Sequence, residues 1–408
     1  MACIFCGSKQ HDYRSCTILY NSNNSKNTSP QQRVIHKDFK QNFFGKAPNV
    51  FIGKFGYPNI RVGILGAEDY NKHDDPLAWS HDGTSIPEII SLRSQLVNSH
   101  FKTQIKSFND KFSEIAKEVS LAKRPVDIEL NLEKKPHVNI SFNNEVAPHG
   151  PSVGLQKASI TENVHIDTKV DKATSATDMN AGEAIHLLAS KGIDEHYLTR
   201  AFSMGNFGIP IERKLVPTRW SITAVDDIRG KQLLDEIKKF NSTNCELYIG
   251  GYLGNNYLIL FFDDVWQYEL FEQYVPTMHN INNTPIIAER DYEPYEGRHD
   301  YVHETAGGYY AARIGILEHL TKIKKQSSVL AIRIITEEYT APLGVWVVRE
   351  AVRKTLQNEV MKFPDRDSML KYARNYIKDR FKYDTSTIIS KSELIKLLWG
   401  QRKLKDFS

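Results

Sequence analysis

Three cysteines and one histidine crowd the start of the chain, in Cys3-Ile-Phe-Cys6-Gly-Ser-Lys-Gln-His11-Asp-Tyr-Arg-Ser-Cys16. The spacing C-x2-C-x4-H-x4-C is that of a zinc knuckle. Three thiolates and an imidazole close a tetrahedral shell around Zn2+ and leave no position for a reactive water, so the expected site is structural. A unit this small has no core, and metal binding would supply its folding energy. Phe5 and Tyr13 are placed to stack on bases while Lys9 and Arg14 meet phosphates, as small knuckles do with single-stranded nucleic acid. The same residues also fit a zinc button for protein contacts, or a staple to the core.

The opposite end reads Gln401-Arg-Lys-Leu404-Lys-Asp-Phe407-Ser408. This has the form Q-x-x-h-x-x-a, with h aliphatic and a aromatic, of a peptide that docks on a sliding clamp. One helical turn would present Leu404 and Phe407 together to an apolar pocket while Gln401 hydrogen-bonds beside it. Many such peptides carry a second aromatic residue, and Ser408 stands in that place. The alternative is the frayed end of an amphipathic helix that contains Leu394, Leu397, Leu398 and Trp399.

Between these ends, Arg219 and Trp220 lie between Pro217 and an apolar run that ends on Asp226-Asp227. A cation, an aromatic and paired acids at the mouth of a strand could hold a phosphate, a base or a metal. Equally, Asp227 could cap a following helix and Arg219 pair internally with an acid. The polar and aromatic stretch from Glu289 to His303 leads into Gly307-Gly308 and a helix start, where Arg298 and Arg313 could clamp a phosphate. A solvated loop followed by close helix packing fits as well. Together Arg219, Asp226, Asp227, Arg298 and Arg313 frame the alternative of a metal-dependent nuclease or other phosphate-ester enzyme. Asp263-Asp264 has the look of a metal pair, but a helix cap accounts for it more simply. The sequence contains no P-loop, no dinucleotide G-x-G-x-x-G and no H-E-x-x-H.

These residues must be positioned by folded elements, and the patterning supplies them. Residues 1–17 form the knuckle, 18–42 a polar flexible linker, 43–390 the core, and 391–408 a helix with the terminal peptide. From Pro48 to Leu65, apolar runs are cut by Gly53, Gly56, Pro58 and Gly63, which predicts strands and tight turns. A helix opens at Ser85, where Ser85 and Glu88 have capping-box spacing. It is followed by Ile105, Phe108, Phe112, Ile115 and Val119 on one helical face. Val126–Leu132 and Val138–Phe142 alternate as a hairpin, and a polar segment covers 156–178. Helices are expected at 180–191, 194–204, 229–240, 307–323, 345–357, 366–380 and 391–399. Strands are expected near Trp220–Val225, 245–250, 256–262 and 329–336. The expected class is α+β, a mixed-sheet core in a single body.

With 408 residues, 40% hydrophobic and 25% charged, the chain has the composition of a folded globular protein with room to bury a core. Its net charge of +4 permits a polyanionic partner without demanding one. Local cysteine spacing suits a metal rather than disulfides, which fits a reducing compartment. A basic segment leading into an apolar stretch is lacking at the N-terminus, so no signal peptide is expected. No apolar run approaches the ~20 residues that span a bilayer.

Several blocks resemble the archaeal Nre family of DNA-repair proteins. They are Ser203-Met-Gly-Asn-Phe-Gly208, Arg213-Lys-Leu-Val-Pro-Thr-Arg-Trp-Ser-Ile-Thr-Ala-Val-Asp-Asp227, Val50-Phe-Ile-Gly-Lys-Phe-Gly-Tyr-Pro58, Asp74-Asp-Pro76, Gly150-Pro-Ser152, Gly307-Gly-Tyr-Tyr-Ala-Ala-Arg313 and Pro342-Leu-Gly-Val-Trp346. The resemblance implies a cytoplasmic, nucleoid-associated factor that contacts DNA, single-stranded or damaged, and works with other repair proteins. It also implies docking on the proliferating-cell-nuclear-antigen clamp (PCNA) through Gln401, Leu404 and Phe407. Family members commonly carry a cluster of four cysteines near the N-terminus; here His11 takes the third ligand place. Lys54 stands where the family usually has Arg, which keeps a charge but loses bidentate phosphate recognition.

Overall fold

The computed structural model describes residues 39–106, 110–137, 140, 146–275, 288–382 and 384–400. The zinc-knuckle residues Cys3, Cys6, His11 and Cys16, with Phe5, Lys9, Tyr13 and Arg14, lie outside the described residues. So do Gln401, Leu404 and Phe407. Packing divides the described chain into two compact units, a subdivision that sequence patterning did not give. Residues up to Arg229, together with Thr340–Trp346, form a barrel unit; Gly230–Tyr339 and the residues from Val347 onward form a sheet unit.

In the barrel unit, β1 (Asn42–Ile52), β2 (Asn59–Ala67), β3 (Val97–Gln104), β4 (Val126–Leu132) and β5 (Ser152–Ile160) close in the order β1-β2-β3-β5-β4. β3 and β5 run parallel, whereas β4 pairs antiparallel with both β1 and β5. Side chains alternate across each strand. Thus Ile60, Val62 and Ile64 of β2 and Val126, Ile128, Leu130 and Leu132 of β4 fill the interior. Helix Lys111–Leu121 joins β3 to β4 and adds Ile115, Ala116 and Val119 to the same core; Asp110 caps it by accepting from the Phe112 and Ser113 amides. A second cluster, with Val170, Ile185, Leu188, Leu198 and Val225, holds together helices Thr168–Ser175, Ala181–Ser190 and Glu195–Ser203 with the start of helix Thr218–Ile237.

In the sheet unit, β6 (Cys245–Tyr252), β7 (Asn255–Phe262), β8 (Gln267–Tyr274), β9 (Glu289–Glu293), β10 (Ser328–Ile335) and β11 (Met361–Phe363) form a six-stranded mixed sheet. Its order is β11-β6-β7-β10-β8-β9, with β10 parallel to β8 and antiparallel to β7. Every residue of β10 is buried, as a central strand requires. Helices Arg366–Phe381 and Glu393–Gly400 pack Met369, Ala373, Ile377, Leu394 and Leu398 against this sheet.

The α+β class holds, but several elements differ from the sequence expectation. The helical stripe from Ser85 to Val119 breaks into helix Ile86–Ser94, strand β3 and helix Lys111–Leu121. Its three- and four-residue spacing is a coincidence across separate elements, since Ile105 belongs to the barrel core just past β3 while Ile115 and Val119 belong to the helix. The polar segment 156–178 hides the end of β5 and a helix, because β5 buries Val153, Leu155 and Ala158 and turns Ser152, Gln156, Lys157 and Ser159 outward. The strand expected at Trp220–Val225 is instead the first part of helix Thr218–Ile237. Packing of Val225 and Ile228 against the helical cluster overrides the β-branched composition of Ile222, Thr223 and Val225. The hairpin partner expected over 138–142 lies almost wholly outside the described residues; β4 finds its described partners in β1 and β5.

Candidate functional site

The six residues Gly53-Lys54-Phe55-Gly56-Tyr57-Pro58 join β1 to β2. Gly56, at φ 86°, turns the backbone where a side chain would strain it, and the Asn59 amide donates to the Gly56 carbonyl at 2.8 Å. This tight tip pushes Phe55 into solvent, where it is 85% exposed. Beyond it, the outward positions of β2 and β3 stand side by side: Arg61 pairs in register with Lys102, and Gly63 with His100. Asn98 follows on β3. A Cβ at residue 63 would fall 1.7 Å from Asn98 Oδ1, so only glycine leaves that amide its place.

These residues line a groove of about 850 Å3 together with Phe51, Val146, Ala147, His149, Gly150, Ser152 and Arg219. The far wall is held by a buried relay. Asp74 accepts from Arg93, and from Asn49 Nδ2 at 2.6 Å, while Arg93 donates onward to the carbonyls of Pro148 and His73. Arg93 is 3% exposed, so the charge is committed to positioning Pro148 and, next to it, His149. The His149 Nδ1–H donates to the Gly150 carbonyl at 2.8 Å, and its ring meets Phe51 at a centroid distance of 5.2 Å. Burial pushes the His149 pKa down to about 4, so the imidazole is neutral near pH 7. Burial also lowers His100, helped by the neighbouring Arg61 charge, with Glu133 opposing.

Arg219 reaches this groove because the start of its helix is tied to the barrel: the Ile52 amide donates to Thr218 Oγ1 at 2.9 Å. The next residue, Trp220, is 45% exposed and meets the half-exposed Tyr57 ring at 5.3 Å. The standing charges of the lining are therefore Lys54, Arg61, Lys102 and Arg219, and no carboxylate is among its described residues. Lys54, Arg61 and Lys102 make no ion pair among the described residues; Lys54 lies over the Phe55 ring at 5.5 Å.

The other sequence candidates do different work. Asp226 and Asp227 sit inside helix Thr218–Ile237 rather than at a strand mouth, and Asp226 is 2% exposed. Asp227 is no cap, because the helix starts nine residues earlier, at Thr218. In the sheet unit, Arg298 donates to the carbonyls of Tyr292, Asp300 and Tyr301 and pairs with Asp291 at 3.3 Å. Arg313 meets Glu293 at 2.7 Å, and Glu293 also accepts from Trp266 Nε1 and Tyr309 OH. Ahead of helix Ala306–Ile323, the Asp291 carboxylate accepts from the amides of His303, Glu304 and Thr305. Burial works against its ionisation, yet these bonds outweigh that and hold its pKa below the usual carboxylate range. A side chain thus fills the place where a phosphate clamp was expected. Asp263 and Asp264 are bound by Arg366 at 2.7 and 2.8 Å. Among the described residues no group of three or more His, Cys, Asp or Glu is placed to hold a metal ion.

Of the sequence candidates, the structure brings Arg219 to the groove along with blocks 50–58 and 150–152. Arg61, Asn98, His100, Lys102 and His149 were missed. The signal for the strand residues is the polar half of two alternating runs, Asn59-Ile-Arg-Val-Gly-Ile and Val97-Asn-Ser-His-Phe-Lys.

Comparison with known proteins gives a consistent picture. The sequence pattern described as "Archaeal Nre, N-terminal" matches residues 12–280, and that of "Archaeal Nre, C-terminal" matches 293–407. The chain is 35% identical over 328 residues to "DNA repair protein NreA" of Haloferax volcanii, covering 78% of each sequence. It is 33% identical over 346 residues to "DNA repair protein NreA" of Archaeoglobus fulgidus, covering 82% of this chain and 84% of the relative. To "DNA repair protein NreB" of the same organism it is 29% identical over 366 residues, covering 88% and 90%. No solved structure matches the chain.

Proposed function

The chain belongs to the archaeal Nre family, and on that premise we propose that it is a DNA-repair factor that binds zinc, docks on a sliding clamp and contacts DNA. The observation that carries this is the identity of 35% and 33%, over most of both chains, to proteins named for DNA repair. Cys3, Cys6, His11 and Cys16 are the zinc ligands in this reading, since three thiolates and one imidazole make a closed tetrahedral donor set. Gln401, Leu404 and Phe407 form the plug for the clamp. A terminal peptide on the clamp and a separate contact to DNA raise each other's effective concentration, so neither needs to be tight. Among the described residues, no helix is long and apolar enough to cross a membrane.

The alternative of a metal-dependent phosphate-ester enzyme draws no support from where its residues lie. Asp226 and Asp227 are inside a helix, while Arg298 and Arg313 are committed to Asp291, Glu293 and backbone carbonyls.

The test is genetic and biochemical. Disrupting the gene in its own host should sensitise cells to DNA damage, and the full-length chain should restore survival. The purified chain should carry one zinc ion that Cys6→Ser removes, and should bind the host clamp until Phe407→Ala abolishes it. Undiminished survival of the disrupted strain would overturn the repair role. A metal-free chain or a clamp that ignores the protein would remove the corresponding contact.

A further inference from the structure

We infer that the groove on the barrel unit is a binding channel for single-stranded DNA. The inference rests on the repair reading only for the choice of DNA; the channel itself follows from geometry. Five-stranded Greek-key barrels of this kind bind oligonucleotides or oligosaccharides across strands 2 and 3 and the loops joining 1 to 2 and 4 to 5. Here the groove lies on that face: β2 and β3 form its floor, Gly53–Gly56 one wall, and Val146–Gly150 the other.

Its chemistry selects among ligands. Lys54, Arg61 and Lys102 have no carboxylate partner among the described residues, which a neutral sugar would not exploit and a chain of phosphates would. Arg61 and Lys102 are exposed and adjacent across the β2–β3 ladder, a spacing that follows one backbone. Phe55, 85% exposed, offers a flat face in the lining, and Trp220, 45% exposed, follows the lining residue Arg219 and lies against Tyr57. Stacking on such faces needs bases freed from a duplex, so the single strand is favoured.

A second observation points to a ligand independently of charge. Asn98 is 5% exposed and lines the groove, and among the described residues its Oδ1 has no hydrogen-bond partner. A buried amide oxygen left unmatched is costly, and such groups recur where a ligand completes the bonding. A side-chain amide can exchange paired hydrogen bonds with a base edge, as Asn does with adenine. Asn98 is thus the residue assigned to hydrogen-bond a base, while the cations hold the backbone.

The full-length protein is titrated, by fluorescence anisotropy, into a labelled single-stranded DNA, its duplex and a single-stranded RNA of the same sequence. The single-stranded DNA should bind at least ~10-fold tighter than the duplex, since only unpaired bases are free to stack. Arg61→Glu with Lys102→Glu should weaken it by ~10-fold or more and flatten the salt dependence, because two phosphate contacts are removed. Phe55→Ala should cost about 10-fold through lost stacking. These three residues are exposed, and unchanged melting temperatures would verify that the variants fold. Cys6→Ser serves as the control for the N-terminal unit. If single-strand affinity is unmoved by the groove variants but lost in Cys6→Ser, the channel is overturned while DNA contact survives elsewhere. Tighter binding of duplex or RNA overturns the assigned ligand. A wild-type chain that binds no single strand, in a host whose survival still needs the gene, overturns the channel and leaves the repair role standing.

Discussion

Along the groove of the barrel unit, Lys54 on the β1–β2 turn and Arg61 and Lys102 on the outside of strands have no carboxylate to meet them among the described residues. In the sheet unit, Arg290, Arg313 and Arg333 meet Glu269, Glu293 and Glu272 at 3.0, 2.7 and 2.6 Å, against carboxylates that are almost wholly buried. The residue types are alike and their roles are opposite. An arginine in a sequence carries no sign of which fate it will have; the partner decides. Burying a charge is tolerable only with a close counter-ion, and such a pair is then fully engaged. A cation left without one on an exposed strand keeps its charge available to a partner.

The comparison is most severely tested by breaking a buried pair. Arg313→Ala leaves the Glu293 carboxylate, 0% exposed, with the Trp266 and Tyr309 donors, and should cost about 3–5 kcal/mol in denaturant unfolding. A loss below about 1 kcal/mol would mean that the sheet-unit charges are not structural after all.

Next in size is a pH effect in the groove wall. His149 has its pKa lowered by burial to about 4, against about 6.5 in the unfolded chain, so the unfolded state binds the proton more readily. This part of the stability is complete above pH 6.5 and declines as pH falls through the window from 6.5 to 4; the loss should amount to about 2 kcal/mol by pH 5. His149→Gln should show a shallower loss between pH 7 and pH 5 in thermal melts. Identical slopes would place the ring in solvent.

Smaller still is the effect of Gly63→Ala. The added methyl would displace the Asn98 amide, at an expected cost of about 1–2 kcal/mol. The measurement is a denaturation midpoint, which Asn98→Ala in the same chain should partly restore. Smallest of all, Arg61→Ala should alter stability by less than about 0.5 kcal/mol, since the side chain is exposed and carries no ion pair among the described residues. If it instead unfolded the protein as Arg313→Ala is expected to, the contrast between the two regions would collapse.

Much of the sheet unit was legible in sequence. Runs such as Leu258-Ile-Leu-Phe-Phe262 and Val329–Ile335 are continuous apolar strands whatever surrounds them. The barrel was harder. β3 carries Asn98, His100 and Lys102 between its inward residues, and its neighbours happened to continue a helical spacing. β5 turns Gln156, Lys157 and Ser159 outward, so from residue 156 onward it looks polar. Helix Thr218–Ile237 begins with several β-branched residues, and its Val225 and Ile228 pack against the helical cluster. The site was half visible for the same reason. Blocks containing glycine and aromatic residues marked Phe55, Gly56, Gly150 and Arg219. Arg61, Asn98 and Lys102 become neighbours only once β2 and β3 are in register, which no local pattern specifies. Arg298 and Arg313 drew notice by residue type, before Asp291 and Glu293 could be seen beside them.

The single bond from the Ile52 amide to Thr218 Oγ1 joins residues 166 apart in the chain. Because synthesis runs from the N-terminus, the aromatic tip at Phe55 leaves the ribosome long before the helix that carries Arg219 and Trp220. A nascent or prematurely terminated polypeptide ending short of Thr218 therefore has the tip without its opposing side. Loop closure over such a separation must be met before the contact repays it, so Arg219 and Trp220 join the tip only after the chain past residue 218 has been made.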